Sequence, residues 1–431
     1  MKKTALSFFL ITFVMQLGFA QRELIQANPS DFGFDEEYIN QKVDSIMKMG
    51  MDSLGFPGAQ VLVAKNDTVI FHKAYGFHTY DQKQAVALND LYDLASVTKI
   101  SGPLPAIMKL VDEGKLDLDE PFSTYWKPWR HRKDKKVLTL REILAHQAGL
   151  VPYIVFLNKV VRKNGKIKKR FVHDTSDKRF HAQAYDGIYI KDRFERKMNR
   201  MINRSKVSDE KKYLYSGLTF LIYPTLIEQI TGTDYQSYLE ENFYQPIGAN
   251  TLGYLPEKKN YDNAIVPTEV DSLFRKTLVK GWVHDENAAL KGGVSGNAGL
   301  FGTADDLAKL MLFYQNYGLV NGQQLISAET VKEFTEVQFP ENDNRRGLGF
   351  DKPLLNNSEL PLSEAYPSPL ASPESFGHSG FTGTFVWADP INKITYIFLS
   401  NRVYPSRDHQ KLYGLNIRTA LMDVFYQAED K

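Results

Sequence analysis

Two strand-like stretches lie near opposite ends of the chain, and their separation limits the possible folds more than any other feature. AQVLVAKNDTVIFHKAYG, residues 59–76, reads as two strands around a turn at Asn66-Asp67. GTFVWADP at 383–390 and KITYIFLSNR at 393–402 read as two more around a turn at Asn392. Helical spacing of apolar residues dominates between them, at 104–113, 138–150, 215–232, 233–247 and 303–318. It also appears at 34–52 and roughly 411–427. Asp31 or Asp35 is placed to cap the first helix and Thr303 the one at 303–318. Gly149 and Gly232 are placed to end the helices before them.

Strands segregated from helices argue for an α+β fold rather than alternating βαβ units. The simplest arrangement is one antiparallel sheet assembled from both chain ends, flanked by helices, with a helical region inserted. The expected organisation is a leader at 1–20, a sheet region from 21–94 and 290–431, and a mainly helical region at 95–289.

The leader reading rests on Lys2 and Lys3, the apolar run from Ala5 to Met15, and the small residues around Gly18 and Ala20. This is the pattern of a cleaved secretory signal, too short for a comfortable membrane span. The chain is therefore expected to be exported to the periplasm or beyond, without a stable membrane anchor. None of the 431 residues is Cys, which excludes disulfides, thiolate metal sites and cysteine nucleophiles. With 53 Lys and Arg against 51 Asp and Glu, nothing global favours nucleic acid or an acidic membrane surface.

One segment departs from that balance. From Asn158 to Lys212 there are 18 basic residues against 7 acidic ones. A polyanion-binding patch is one reading, with acidic glycans or wall polymers as partners; a solvated, partly ordered insertion is the plainer expectation.

The sequence lacks a phosphate-binding G-x-x-x-x-G-K-[ST], an H-E-x-x-H zinc motif and a G-x-S-x-G elbow. His284-Asp285-Glu286 is the one place where a His is followed by two carboxylates, with no second His at ligand spacing, so no metal is expected. The productive pattern is Ser-x-x-Lys. Three residues apart on a helix, the two side chains share a face, and a neutral lysine can serve a serine nucleophile as base. The pattern occurs at Ser45/Lys48, Ser208/Lys211 and Ser96/Lys99. Only Ser96 follows an apolar strand-like run and opens a helix, where free backbone N–H groups favour an oxyanion. Tyr215 stands between a polar stretch and an apolar helix, where its phenol could shuttle a proton. Phe376-Gly377-His378-Ser379-Gly380 would present backbone donors along a cleft edge.

Taken in order, Ser96-Val97-Thr98-Lys99, Tyr215-Ser216-Gly217 and His378-Ser379-Gly380 resemble the three motifs of serine β-lactamases and penicillin-binding proteins, most closely the class C β-lactamase-like serine hydrolases. REILAHQAGLVPY, GGVSGNAGLFGTADDLAKL, GLGF at 347–350 and GHSGFTGTFVWADP agree. The resemblance spans roughly 35–425, leaving out 158–212. It implies Ser96 as the acylated nucleophile, Lys99 as base and Tyr215 as base and acid. It implies an oxyanion hole from the backbone N–H groups of Ser96 and Phe381, and substrate contacts from His378, Ser379, Gly380 and Gly217. Two positions depart from the family pattern: Gly217 stands where Asn is usual and His378 where Lys is frequent.

GWVHDENAALKGGVSGNAGLFGTADD at 281–306 is similar to exported cell-wall-recycling members, including exo-acting N-acetylmuramyl-L-alanine amidases. The expected activity is acyl transfer to water on peptidoglycan-fragment amides, without cofactor, by a monomer. A D-amino-acid peptidase, an esterase and a β-lactamase are the enzyme alternatives. A non-catalytic binder of wall fragments is the alternative of another class.

Overall fold

This computed structural model describes residues 23–429, so the leader expected at 1–20 lies outside the described residues. A five-stranded antiparallel sheet forms from both chain ends, as the strand pattern predicts. Its strands are β1 (Gly58–Lys65), β2 (Thr68–Gly76), β3 (Phe376–Ser379), β4 (Phe385–Asp389) and β5 (Ile394–Ser400), in the order β3-β4-β5-β1-β2. Asn66 and Asp67 sit at φ +49° and +63°, the paired left-handed turn that matches strand twist in a two-residue hairpin. In β1 every residue is buried, because both faces of the sheet are covered.

Alternation then sorts the side chains between two cores. Val61, Val63, Tyr396 and Phe398 meet the terminal helices α1 (Glu36–Asp52) and, at the C-terminus, Ile417–Gln427. Leu62, Ala64, Ile397 and Leu399 join the larger core with helix Ala304–Gln315. Asp35 caps α1 by accepting from Tyr38 N at 2.9 Å, and Thr303 caps the helix at 304–315.

Three helices differ from expectation. The helix expected over 138–150 runs only from Leu140 to Leu144. Thr139 and Glu142 form its capping box, but His146 and Gly149 take left-handed φ of +56° and +68°, which no helix continues. The segment at 215–232 becomes helical only from Thr219, with Gly232 as its left-handed cap. The last helix is split by Asn416 at φ +50° into Lys411–Gly414 and Ile417–Gln427.

The basic segment 158–212 is more structured than a partly ordered, solvated insertion. It holds a three-stranded sheet (Val172–His173, Phe180–Tyr185 and Ile188–Lys191) and the helix Phe194–Arg204. Phe194, Met198 and Ile202, one turn apart, are about 1% exposed and belong to the large core. The basic residues of the helix fall between these positions, so the charge is carried on one face of a docked element.

Ile202→Ala should therefore lower global stability by about 2–5 kcal/mol. Urea unfolding followed by tryptophan fluorescence checks this. An unshifted midpoint would mean that the insertion does not share the core.

Candidate active site

Ser96 lies just after the short strand Tyr92–Asp93, in a tight turn, Ala95–Val97, that leads into the four-residue helix Thr98–Ser101. The turn is strained. Ala95 occupies φ +45°, a region that costs a residue with a Cβ about 1–2 kcal/mol. It is held there by Asp93, whose Oδ1 accepts from Ala95 N at 2.8 Å and whose Oδ2 accepts from His284 N at 2.6 Å. Burial pushes the Asp93 carboxyl up.

One helical turn places Lys99 on the Ser96 side, and Lys99 Nζ donates to Ser96 Oγ at 3.0 Å. Lys99 is 2% exposed. Its other partner is the backbone carbonyl of Asn297, at 3.0 Å. The ring centroids of Tyr215 and Phe220 lie 5.4 and 5.6 Å from Nζ, within cation–π range. The other Ser-x-x-Lys pairs do not assemble: Lys48 pairs with Asp52 on the surface and Lys211 with Glu142.

Tyr215 reaches this position because its segment is stitched to the loop after the helix at 140–144. Leu214 N donates to His146 O at 2.9 Å, Ser216 Oγ to Val151 O at 2.8 Å, and Gly217 N to Pro152 O at 3.3 Å. The His146 ring packs 4.5 Å from that of Tyr215.

The third segment arrives from the sheet. After β3 the chain turns at Gly380–Thr384, where Gly380 N donates to Thr384 O at 2.7 Å. Thr382 Oγ1 donates to Asp93 O at 2.7 Å and Thr384 Oγ1 to Leu94 O at 3.1 Å. These bonds moor the turn carrying Phe381 against the turn carrying Ser96. Gly380 is required by space: a Cβ there would lie 2.0 Å from Thr384 Oγ1 and 2.6 Å from Leu94 O.

Ser96, Asn297 and Phe381 line one cavity of about 430 Å³, whose wall also carries Asp285, Glu286 and Arg407. His284-Asp285-Glu286 is thus at the site, but as part of an ion-pair network. His284 Nε2 lies 2.8 Å from Glu269, and Arg407 bonds Glu269 and Glu286, each at 2.6 Å. Among the described residues no group of His, Asp and Glu is arranged to hold a metal ion.

With a serine–lysine pair, a tyrosine beside the lysine and a β-strand edge brought together, comparison with known proteins gives the family. The profile of the Beta-lactamase family matches residues 43–420. The chain belongs to the Beta-lactamase family. A protein of Escherichia coli (strain K12) named "Putative D-alanyl-D-alanine carboxypeptidase" is 30% identical over 439 residues, 95% of this chain and 93% of that one. A namesake from Salmonella typhimurium is 29% identical over 429 residues, 93% of this chain and 91% of that one. Among solved structures, EstCE1, a hydrolase with promiscuous acyltransferase activity, superposes with a TM-score of 0.63 at 18% identity. That match covers 89% of this chain and 98% of EstCE1. A penicillin-binding protein homologue from Pyrococcus abyssi superposes with a TM-score of 0.60 at 20% identity, covering 84% and 73%. These superpositions confirm the β-lactamase/transpeptidase-like α+β fold.

In this Beta-lactamase family member the two departures have structural counterparts. A Cβ at Gly217 would lie 3.8 Å from Lys99 Cε, so a side chain there would flank the lysine; glycine leaves that flank open. His378 is 3% exposed and does not line the cavity. Its Nδ1 lies 2.8 Å from Ser379 O, and its ring centroid lies 6.1 Å from that of Tyr215. Outside β3, Gly377 exchanges backbone hydrogen bonds with Asp351. Antiparallel alternation therefore turns the Ser379 N–H and C=O outward too, along the free part of the edge. Asp93, His146 and Asn297 were not singled out from the sequence, although LYDLASVTK, AHQAG and GNAG contain them.

Burial, with Arg346 and Lys99 nearby, pushes the His378 imidazole down to about 3. Burial likewise takes His146 well below the ordinary range. Unfolded imidazoles gain a proton near pH 6.5. Between there and about pH 3 the unfolded chain binds protons that native His378 does not. Stability is thus present above pH 6.5 and is lost as pH falls, by up to about 1.4 kcal/mol per unit for each such histidine. Urea titrations from pH 7 to pH 4 should show this slope, and His378→Gln should reduce it by about one proton. Equal slopes in both proteins would contradict a neutral buried ring.

Proposed function

We propose that this serine hydrolase of the Beta-lactamase family cleaves amide bonds of peptidoglycan fragments through a Ser96 acyl-enzyme, with release of a terminal D-amino acid as the leading reaction. The observation that carries the reading is the 3.0 Å hydrogen bond between Lys99 Nζ and Ser96 Oγ beside a 430 Å³ cavity. The shared name of the full-length relatives supports the D-amino-acid peptidase form over the muramyl-peptide amidase form. Export through the segment at 1–20 and action as a monomer belong to the same proposal.

In the proposed mechanism Ser96 Oγ attacks the amide carbonyl as neutral Lys99, assisted by Tyr215, takes the hydroxyl proton. The backbone N–H groups of Ser96 and Phe381 receive the oxyanion; a donor of this kind contributes roughly 3–4 kcal/mol. The C–N bond breaks as the proton is passed to the leaving amine. Water then attacks the acyl-enzyme, its proton returning through the same groups to Ser96. Ser379 backbone atoms on the β3 edge align the peptide, and His378 supports that edge from within.

A pool of soluble muropeptides incubated with the protein, read by mass spectrometry, tests the substrate. The expected product is a peptide shortened by one D-alanine, absent with Ser96→Ala, whose rate should fall about 10⁴-fold or more. Tyr215→Phe should lose about 10²–10⁴-fold as a proton-transfer group. Separation of sugar from peptide would instead identify an amidase. An untouched pool, with simple esters hydrolysed, would replace the substrate by an ester.

A further inference from the structure

The Ser96 cavity is electrically one-sided, and its charges lie outside the groups that carry the proposed chemistry. Asp285 and Glu286 line it together with a single guanidinium, Arg407. That guanidinium is already engaged. Arg407 Nε lies 2.9 Å from both carboxylate oxygens of Glu269, and its Nη2 lies 2.6 Å from Glu269 and 2.6 Å from Glu286. Two carboxylates, Glu269 and Glu286, therefore already share this arginine. Glu269 is held down to about 2 against its burial by His284 and Arg407, so its charge persists at neutral pH.

Asp285 has no salt bridge among those of the described residues. Its Oδ1 accepts from Ala288 N at 2.8 Å and from Asn297 Nδ2 at 3.0 Å. Asn297 is the residue whose carbonyl holds Lys99, which brings this carboxylate close to the reacting serine. Apart from Ser96 and His284, the remaining wall is apolar or aromatic, including Val155, Leu157 and Leu273. Such surroundings weaken screening and strengthen the field of a carboxylate that no cation pairs. On the same wall, burial first, then Asp285 and Glu286, raise the ionisation of the Tyr153 phenol, with Arg407 and Arg275 opposing them.

We infer that Asp285 and Glu286 select substrates whose acyl chain carries a primary ammonium, the group borne by a free peptide N-terminus or a diamino-acid side chain. This rests on the Ser96 acyl-enzyme reading. The acyl chain is the part that stays bonded to Ser96 after the first half-reaction, so its substituents must be housed in the serine's own cavity. An ammonium there finds an acidic, partly desolvated wall. A carboxylate finds an arginine already committed to two carboxylates, and repulsion from Asp285.

Three 4-nitrophenyl esters of matched chain length test the inference: 6-aminohexanoyl, hexanoyl and adipoyl. The wild-type kcat/KM should be highest for the 6-aminohexanoyl ester, on the order of tenfold above hexanoyl, and lowest for adipoyl. Asp285→Asn and Glu286→Gln should each move the ammonium-to-methyl ratio toward one. Preference for adipoyl, abolished by Arg407→Gln, would overturn the inference in favour of carboxylate recognition. A ratio near one, unchanged by all three substitutions, would overturn it as well.

Calorimetry of 6-aminohexanamide against hexanamide on the Ser96→Ala protein keeps this distinct from the catalytic reading. Tighter binding of the amine, lost in Asp285→Asn, supports the charge selection even where no ester is turned over. Equal binding of the two amides counts against it even where Ser96 is acylated.

Discussion

The structure around Ser96 is organised by the confinement of the Lys99 amine. At 2% exposure its amine has left water, and a buried polar group of this kind is tolerated only when protein atoms replace the solvent. The replacements are the Ser96 hydroxyl one helical turn away, the Asn297 carbonyl, and the faces of Tyr215 and Phe220. They sit on three segments, around residues 96–99, 215–220 and 297, which must converge for the lysine to be satisfied. The loop carrying Asn297 can approach because Gly296 has no side chain; a Cβ there would lie 2.3 Å from Phe220 O.

The sheet supplies the second half of the arrangement. β3 ends at Ser379, and the following turn is fastened by Thr382 and Thr384 to the carbonyls of residues 93 and 94, immediately before the strained Ala95. The strain is offset by the Asp93 carboxylate, which bonds backbone N–H groups from both sides of the site. A serine is thus presented on a tight turn, with a second turn moored beside it. Such preorganisation on a rigid support is what acyl transfer requires. The antiparallel sheet, closed by strands from both chain ends, provides that support.

Much of this was legible in the sequence, for identifiable reasons. Alternating strands and a two-residue Asn-Asp turn announce a hairpin whatever surrounds them, and a Ser-x-x-Lys pair is a spacing that a single helical turn converts into contact. Asn297 was not legible because it binds Lys99 through a backbone carbonyl, which leaves no side-chain signature. The helix expected over 138–150 stops at Leu144 because His146 leaves helical φ to meet Ser216 and Leu214, a tertiary demand that local propensity does not register. In the basic insertion, charge obscured a regular apolar stripe: Phe194, Met198 and Ile202 recur every four residues among arginines and lysines.

The central claim is that Ser96 becomes acylated. Brief exposure to a chromogenic ester, acid quench and peptide mapping by mass spectrometry tests it most directly. The account predicts an acyl group on the peptide containing Ser96, appearing with the burst of released chromophore and absent from Ser96→Ala. An unmodified Ser96 peptide under turnover, or an adduct on another residue that survives Ser96→Ala, would contradict it.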